Sequence, residues 1–206
     1  LARRGYAVLA FSVKGCYGRP NSRTPGYWEQ EAKYLVAYGR PQMGILAEET
    51  LRAARILASQ DGVDSGRIGL TGMSLGGLAT WFAMACDPWV KAGAPICGGL
   101  GSMARNIHEG FPDRSSSAIF LPNMLRFFDH PEIVSSCIAP RPFMAVVPTM
   151  DEDMPKSGAD LLVEKVTHTY ESAGLGERFK VYQPQGNHQF LIEYFEWMAE
   201  WFDRYL

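Results

Sequence analysis

The 206-residue chain is 47% hydrophobic and carries 20 basic against 22 acidic residues, a net charge of -2 with the signs interspersed. That composition supports one sizeable core and excludes disordered, collagen-like and repeat architectures. It provides no basic footprint for nucleic acid or an anionic membrane, so a small neutral or mildly polar substrate is the natural partner.

In chain order, residues 1–5 end in Gly5 after two arginines, the pattern of a last helical turn with a glycine stop. Residues 6–13 (YAVLAFSV) predict a buried strand. Residues 14–26, with three glycines and two prolines, predict a loop, and residues 27–40 an irregular or weakly helical stretch. From 45 to 60 the apolar positions fall among Glu48, Glu49, Arg52 and Arg55 as on an amphipathic helix, followed by a turn at 61–66. Residues 67–71 (RIGLT) read as a short strand, 72–77 (GMSLGG) as a sharp turn, and 78–85 (LATWFAMA) as a helix closed by Asp87 and Pro88.

A further strand at 90–97 completes a strand, helix, strand unit, which argues for a parallel sheet covered on both faces. Residues 98–132 form a long excursion containing Ser115, Ser116 and Ser117 and an apolar piece at 119–128. Such a segment is either a cover over a functional site or a packed surface helix. Residues 133–139 predict a short helix, Pro140-Arg141-Pro142 a stiff lead-in, and 143–148 a buried strand. A helix at 157–173, a strand at 179–183, a loop at 184–187 and a helix at 190–205 close the alternation.

The run 68–86 has no charge, but four glycines interrupt it before it reaches spanning length, so no membrane span is expected. Cys16, Cys86, Cys97 and Cys137 are scattered without C-x-x-C or histidine-rich spacing. That spacing points to buried free thiols rather than disulfides or a metal site. The compartment stays open, because no signal peptide is visible.

The turn at 72–77 carries the chemistry. Gly72-Met73-Ser74-Leu75-Gly76 is a G-x-S-x-G sequence between a strand and a helix, the pattern of a nucleophile elbow. A serine on so tight a corner crowds the positions two residues either side, which glycines relieve. A serine hydroxyl is a poor nucleophile at neutral pH, so the elbow calls for a histidine base and a carboxylate that orients it. Of His108, His130, His168 and His188, only His188 follows a strand at the carboxyl edge of the sheet. For the acid, the loop after strand 143–148 offers Asp151, with Asp153 in reserve. The order Ser74, Asp151, His188 is the one expected on an α/β-hydrolase sheet. The backbone N–H of Leu75, next after the nucleophile, is the expected first oxyanion donor.

On these residues the chain resembles the α/β-hydrolase fold, and within it the dienelactone-hydrolase-like and acetyl-xylan-esterase-like serine esterases. The resemblance rests on residues 67–77, on Ile138 to Pro142 leading into Asp151 and Pro155, and on residues 186–190 (GNHQF). Dienelactone hydrolases proper use a cysteine nucleophile, and Ser74 shifts the expectation toward ordinary ester hydrolysis. The resemblance implies a carboxylic-ester hydrolase acting on small acyl or carbohydrate-linked acetyl esters, without metal or organic cofactor. Prolyl-oligopeptidase-like serine peptidases share much of the pattern, and a non-catalytic binding member of the fold is a third reading. The resemblance also makes residues 6–13 the family's fourth strand, with the first three strands and the second oxyanion donor missing. The chain is therefore expected to be the C-terminal portion of one catalytic domain, residues 1–206, with a gap left in its sheet.

Overall fold

The computed structural model describes residues 1–13, 28–110 and 119–206. The expected loop at 14–26, residue 27 and the three serines at 115–117 lie outside the described residues. Four parallel strands, β1 (Gly69–Met73), β2 (Ala92–Ile96), β3 (Phe143–Val146) and β4 (Phe179–Tyr182), form a sheet in the order β1-β2-β3-β4. The helices are α1 (Trp28–Ala37), α2 (Gln42–Ala58), α3 (Leu75–Cys86), α4 (Met103–His108), α5 (His130–Ile133), α6 (Lys156–Ser172) and α7 (Ile192–Tyr205). A π-helical turn, Val134–Ile138, continues α5. Among the described residues no helix is long and apolar enough to cross a membrane.

Each crossover returns to the next strand through a helix, and strand alternation sorts the side chains onto two faces. Ala92, Ala94, Ile96, Met144 and Val146 pack on one face with Met198, Trp201 and Phe202 of α7. Phe143, Ala145 and Val147 pack on the other with α2, α3 and α6. In α2 the buried residues Met43, Leu46, Ala47, Thr50, Ala53 and Ala54 recur at helical spacing, which is why an amphipathic sequence folds here. In α3 eight of twelve residues are buried, because it lies between the sheet and α2. Gly93 admits that closeness: a side chain there would meet Met84 Sδ at 2.1 Å.

Arg141, just before β3, ties this layer together. Its guanidinium donates to the carbonyls of Met84 (2.5 Å), Asp87 (2.9 Å), Val90 (2.9 Å), Cys137 (2.6 Å) and Ile138 (3.2 Å). A cation at the carbonyl end of α3 also complements the helix dipole. His130 is buried against Trp81, ring centroids 4.9 Å apart, and neither ring nitrogen has a partner among the described residues. Burial pushes its pKa down to about 4, against the opposing pull of Asp129 and Glu132.

Two sequence expectations need correction. Residues 6–13 form no strand, and Val8, Leu9 and Phe11 are exposed. A strand needs a neighbour to satisfy its backbone. Here β1 is the edge of the sheet, and a groove of about 440 Å³ separates it from Ala7, Val8, Leu9 and Phe11. The segment is held at its start by Arg4, which pairs with Asp203 and Glu196, and by the Tyr6 hydroxyl, which donates to Asp203. The second correction concerns the thiols: Cys97 is buried, but Cys86 and Cys137 are exposed. The glycine stop at residue 5 does cap a short 3-10 turn, Ala2–Arg4, with φ 91°.

Candidate active site

At the end of β1 the chain enters Ser74 with φ 55° and ψ -118°, a backbone region costing a non-glycine residue roughly 1–3 kcal/mol. Two hydrogen bonds hold it there. The Ser74 N–H donates to Ile96 O at 2.9 Å, and the Leu78 N–H donates to Ser74 O at 2.9 Å, starting α3. The flanking glycines have steric reasons. A side chain on Gly72 would lie 2.5 Å from the backbone of Gly76, and one on Gly77 would lie 2.8 Å from Gly98 Cα and 2.9 Å from Ile96 O. The Leu75 N–H is the first of α3 and has no carbonyl acceptor within its own helix, at the positive end of the helix dipole.

The exits of β3 and β4 are joined by backbone hydrogen bonds, Thr149 N–H to Pro184 O (2.9 Å) and Met150 N–H to Gly186 O (3.0 Å). These bonds bring Asp151 and His188 together. His188 Nδ1 lies 3.0 and 3.2 Å from the two carboxylate oxygens of Asp151, whose side chain is only 2% exposed. A carboxylate facing Nδ1 favours the tautomer with its proton there, leaving the Nε2 lone pair to accept one. Asp153 Oδ2 is farther from Nδ1, at 3.5 Å, and its N–H donates to Asp151 Oδ1. Burial raises the Asp153 carboxyl above its ordinary range, with the Asp151 and Glu152 charges adding to it and His188 opposing.

The strand register places the serine at the same edge. Met73 pairs with Ile96, so Ser74 and Cys97 are the next positions along β1 and β2. Cys97 (φ 48°) donates its N–H to Val146 O at 2.9 Å, and its thiol lies 3.4 Å from Gln189 O. A ligand atom from each of Cys97, Asp151 and His188 lies within 4.8 Å of the others. Sequence spacing does not reveal this cluster, although Cys97 follows a strand as Asp151 and His188 do. Burial, reinforced by the Asp151 charge, pushes the Cys97 pKa up to about 12, so at neutral pH it is a thiol rather than a nucleophile.

A cavity of about 410 Å³ opens beside the pair, lined by Asp151 and His188 with Thr149, Met150, Glu152, Pro155, Lys156 and Asn187. Ser74 is not in its lining, so the cavity lies on the side of Asp151 and His188. The excursion reaches that side through α4. Asn106, fully buried, donates from Nδ2 to Asp153 O at 2.8 Å, and Ser157 bonds Glu109. Asp129 holds the two ends of the excursion together, accepting from Ser102 Oγ (2.6 Å) and the Met103 N–H (2.7 Å) while capping α5. The other histidines stand apart: His108 and His168 are exposed, and His130 is in the core.

No family model matches the chain. Among solved structures, it superposes on a glucuronoyl esterase from Solibacter usitatus with a TM-score of 0.66 at 19% identity, covering 78% of this chain and 48% of that one. It also matches a protein of Klebsiella pneumoniae subsp. pneumoniae MGH 78578 named "Putative Dienelactone Hydrolase", with a TM-score of 0.57 at 21% identity over 91% of this chain and 71% of that one. The chain has the α/β-hydrolase fold. Among curated proteins, "Putative hydrolase YtaP" of Bacillus subtilis (strain 168) is 29% identical over 189 residues, 91% of this chain. This α/β-hydrolase chain spans 61% of that relative's length.

Proposed function

We propose that this chain is the catalytic portion of a serine hydrolase that cleaves carboxylic esters through Ser74, His188 and Asp151. The observation that carries the reading is the Asp151–His188 pair, 3.0 Å apart, at the same sheet edge as a serine on a strained elbow. In this reading His188 Nε2 takes the Ser74 proton as Oγ attacks the ester carbonyl. Asp151 stabilises the imidazolium, and the Leu75 N–H supports the developing oxyanion. The alcohol leaves with the proton from His188, and water then hydrolyses the acyl-enzyme by the same route. Residues 1–206 act as one catalytic domain, and α4, within the excursion at 98–132, covers the acid and base side. The relatives named as a glucuronoyl esterase and as hydrolases support a hydrolase of the esterase kind, and small acyl or carbohydrate-linked acetyl esters are the proposed substrates.

The test is covalent labelling with a fluorophosphonate probe alongside turnover of p-nitrophenyl acetate. Wild type is expected to label and turn over, and Ser74→Ala to do neither. Equal labelling of both proteins would remove Ser74 from the mechanism, and faster cleavage of peptide anilides than of esters would make the protein a peptidase.

A further inference from the structure

Cys97 has no part in the hydrolysis just described, yet its thiol is grouped with the two side chains that serve Ser74. A thiolate, an imidazole and a carboxylate are the donors that Zn²⁺ and its softer relatives prefer, and three such ligands leave a coordination position open. Their charges also suit a buried divalent cation, because one thiolate and one carboxylate neutralise it. We propose that Cys97, Asp151 and His188 bind a thiophilic divalent cation of the zinc or cadmium class, and that binding switches hydrolysis off.

The geometry needs little adjustment. Bonds of about 2.0–2.3 Å put the ligand atoms of a tetrahedral site roughly 3.5 Å apart. Asp151 and His188 already stand closer than that, at 3.0 Å, and the thiol is within 4.8 Å. His188 is the one member with appreciable exposure, its side chain 18% accessible, which gives the cation a route in. On binding, the Cys97 S–H bond breaks, the sulfur keeps the electron pair for the metal, and the proton leaves to solvent. A neutral imidazole has a single lone pair. If the cation takes Nε2, the Ser74 proton has no acceptor; if it takes Nδ1, the ring proton moves to Nε2 with the same result. Inhibition rests on the esterase reading, whereas binding does not.

The test titrates Cd²⁺ into the full chain carrying Cys16→Ser, Cys86→Ser and Cys137→Ser, so that Cys97 is the only thiol. A thiolate-to-cadmium charge-transfer band in the ultraviolet is expected to saturate at one cation per chain. Adding His188→Ala or Asp151→Asn is expected to weaken it about tenfold or more, the scale at which even outer-shell partners matter. Ester turnover should fall in step with the band and return on adding EDTA. If the three-serine variant does not fold, wild type and Cys97→Ser give the same comparison by difference. No Cys97 band, or a band indifferent to both His188 and Asp151, overturns the site. A dependent band in a protein without Ser74-dependent turnover leaves the cation site standing and removes the esterase reading. Turnover without the band does the reverse.

Discussion

Gly72→Ala tests whether the elbow's geometry, rather than only its serine, sets the chemistry. The added methyl would lie 2.5 Å from the Gly76 carbonyl carbon, 2.6 Å from its oxygen and 2.8 Å from its Cα, where ordinary contact begins at 3.4 Å. All three atoms are backbone, so no side chain can rotate away, and the first turn of α3 has to move by about 0.9 Å. That turn carries the Leu75 N–H. Overpacking of this kind costs about 1–3 kcal/mol in stability, and a misplacement near 1 Å at a reacting centre costs up to about 10²-fold in rate. Urea unfolding measures the first, and the rate of fluorophosphonate labelling at Ser74 the second. The variant is expected to stay folded and label tens of times more slowly. Labelling at the wild-type rate with an unchanged unfolding midpoint would refute the packing argument, and with it the steric reason for glycine at this position.

Asp151→Asn is expected to lower kcat on p-nitrophenyl acetate by about 10³–10⁴-fold, because the amide no longer selects the useful imidazole tautomer. Asp153 lies 3.5 Å from His188 Nδ1, so the Asp151→Asn, Asp153→Asn double variant should lose more than the single one; equal rates would deny Asp153 any share. For His130, the folded pKa of about 4 lies below the ordinary 6.5, so between these values the unfolded chain binds the extra proton and stability falls as pH falls. From pH 7 to pH 5 that loss is about 2 kcal/mol, and His130→Leu should remove it from the pH dependence of the urea midpoint. Replacing Arg141 by alanine removes the guanidinium donor from five carbonyls, of which Ile138 O alone keeps the backbone N–H of residue 141, and should cost about 3 kcal/mol or more. Arg141→Lys should recover little of it, since an ammonium has three donors and no fork; near-complete recovery would show that charge alone matters.

The elements of the sheet were legible because a parallel sheet buries both faces and writes short apolar runs, as at β2 and β3. The start of α3 was hidden. Gly76 and Gly77 disguise its first turn, so the sequence suggests a helix from residue 78 where the structure begins one at Leu75. Residues 6–13 misled for a related reason: their composition suits a strand, but strand formation depends on a partner, and the edge of β1 does not reach them. At the candidate site, Asp151 and His188 were readable as residues of the loops after strands, and the structure brings them together. Asn106 was not, because it bonds a carbonyl distant in sequence, and a carbonyl carries no side-chain signature. Cys97 met the same criterion as Asp151, but a search for cysteine spacing looks along the chain and not across neighbouring strand ends.

The bond from Asn106 to the Asp153 carbonyl bears on how the proposed hydrolase can diversify. Where a substrate-facing segment is mechanically separate from the reacting groups, substitutions in it can alter selectivity while turnover stays constant. Here Asn106 of α4 bonds the Asp153 carbonyl, two residues from Asp151, so repacking α4 would shift the carboxylates that flank His188. Libraries that randomise residues 103–109 to change selectivity should therefore yield few variants with undiminished rates unless Asn106 is kept.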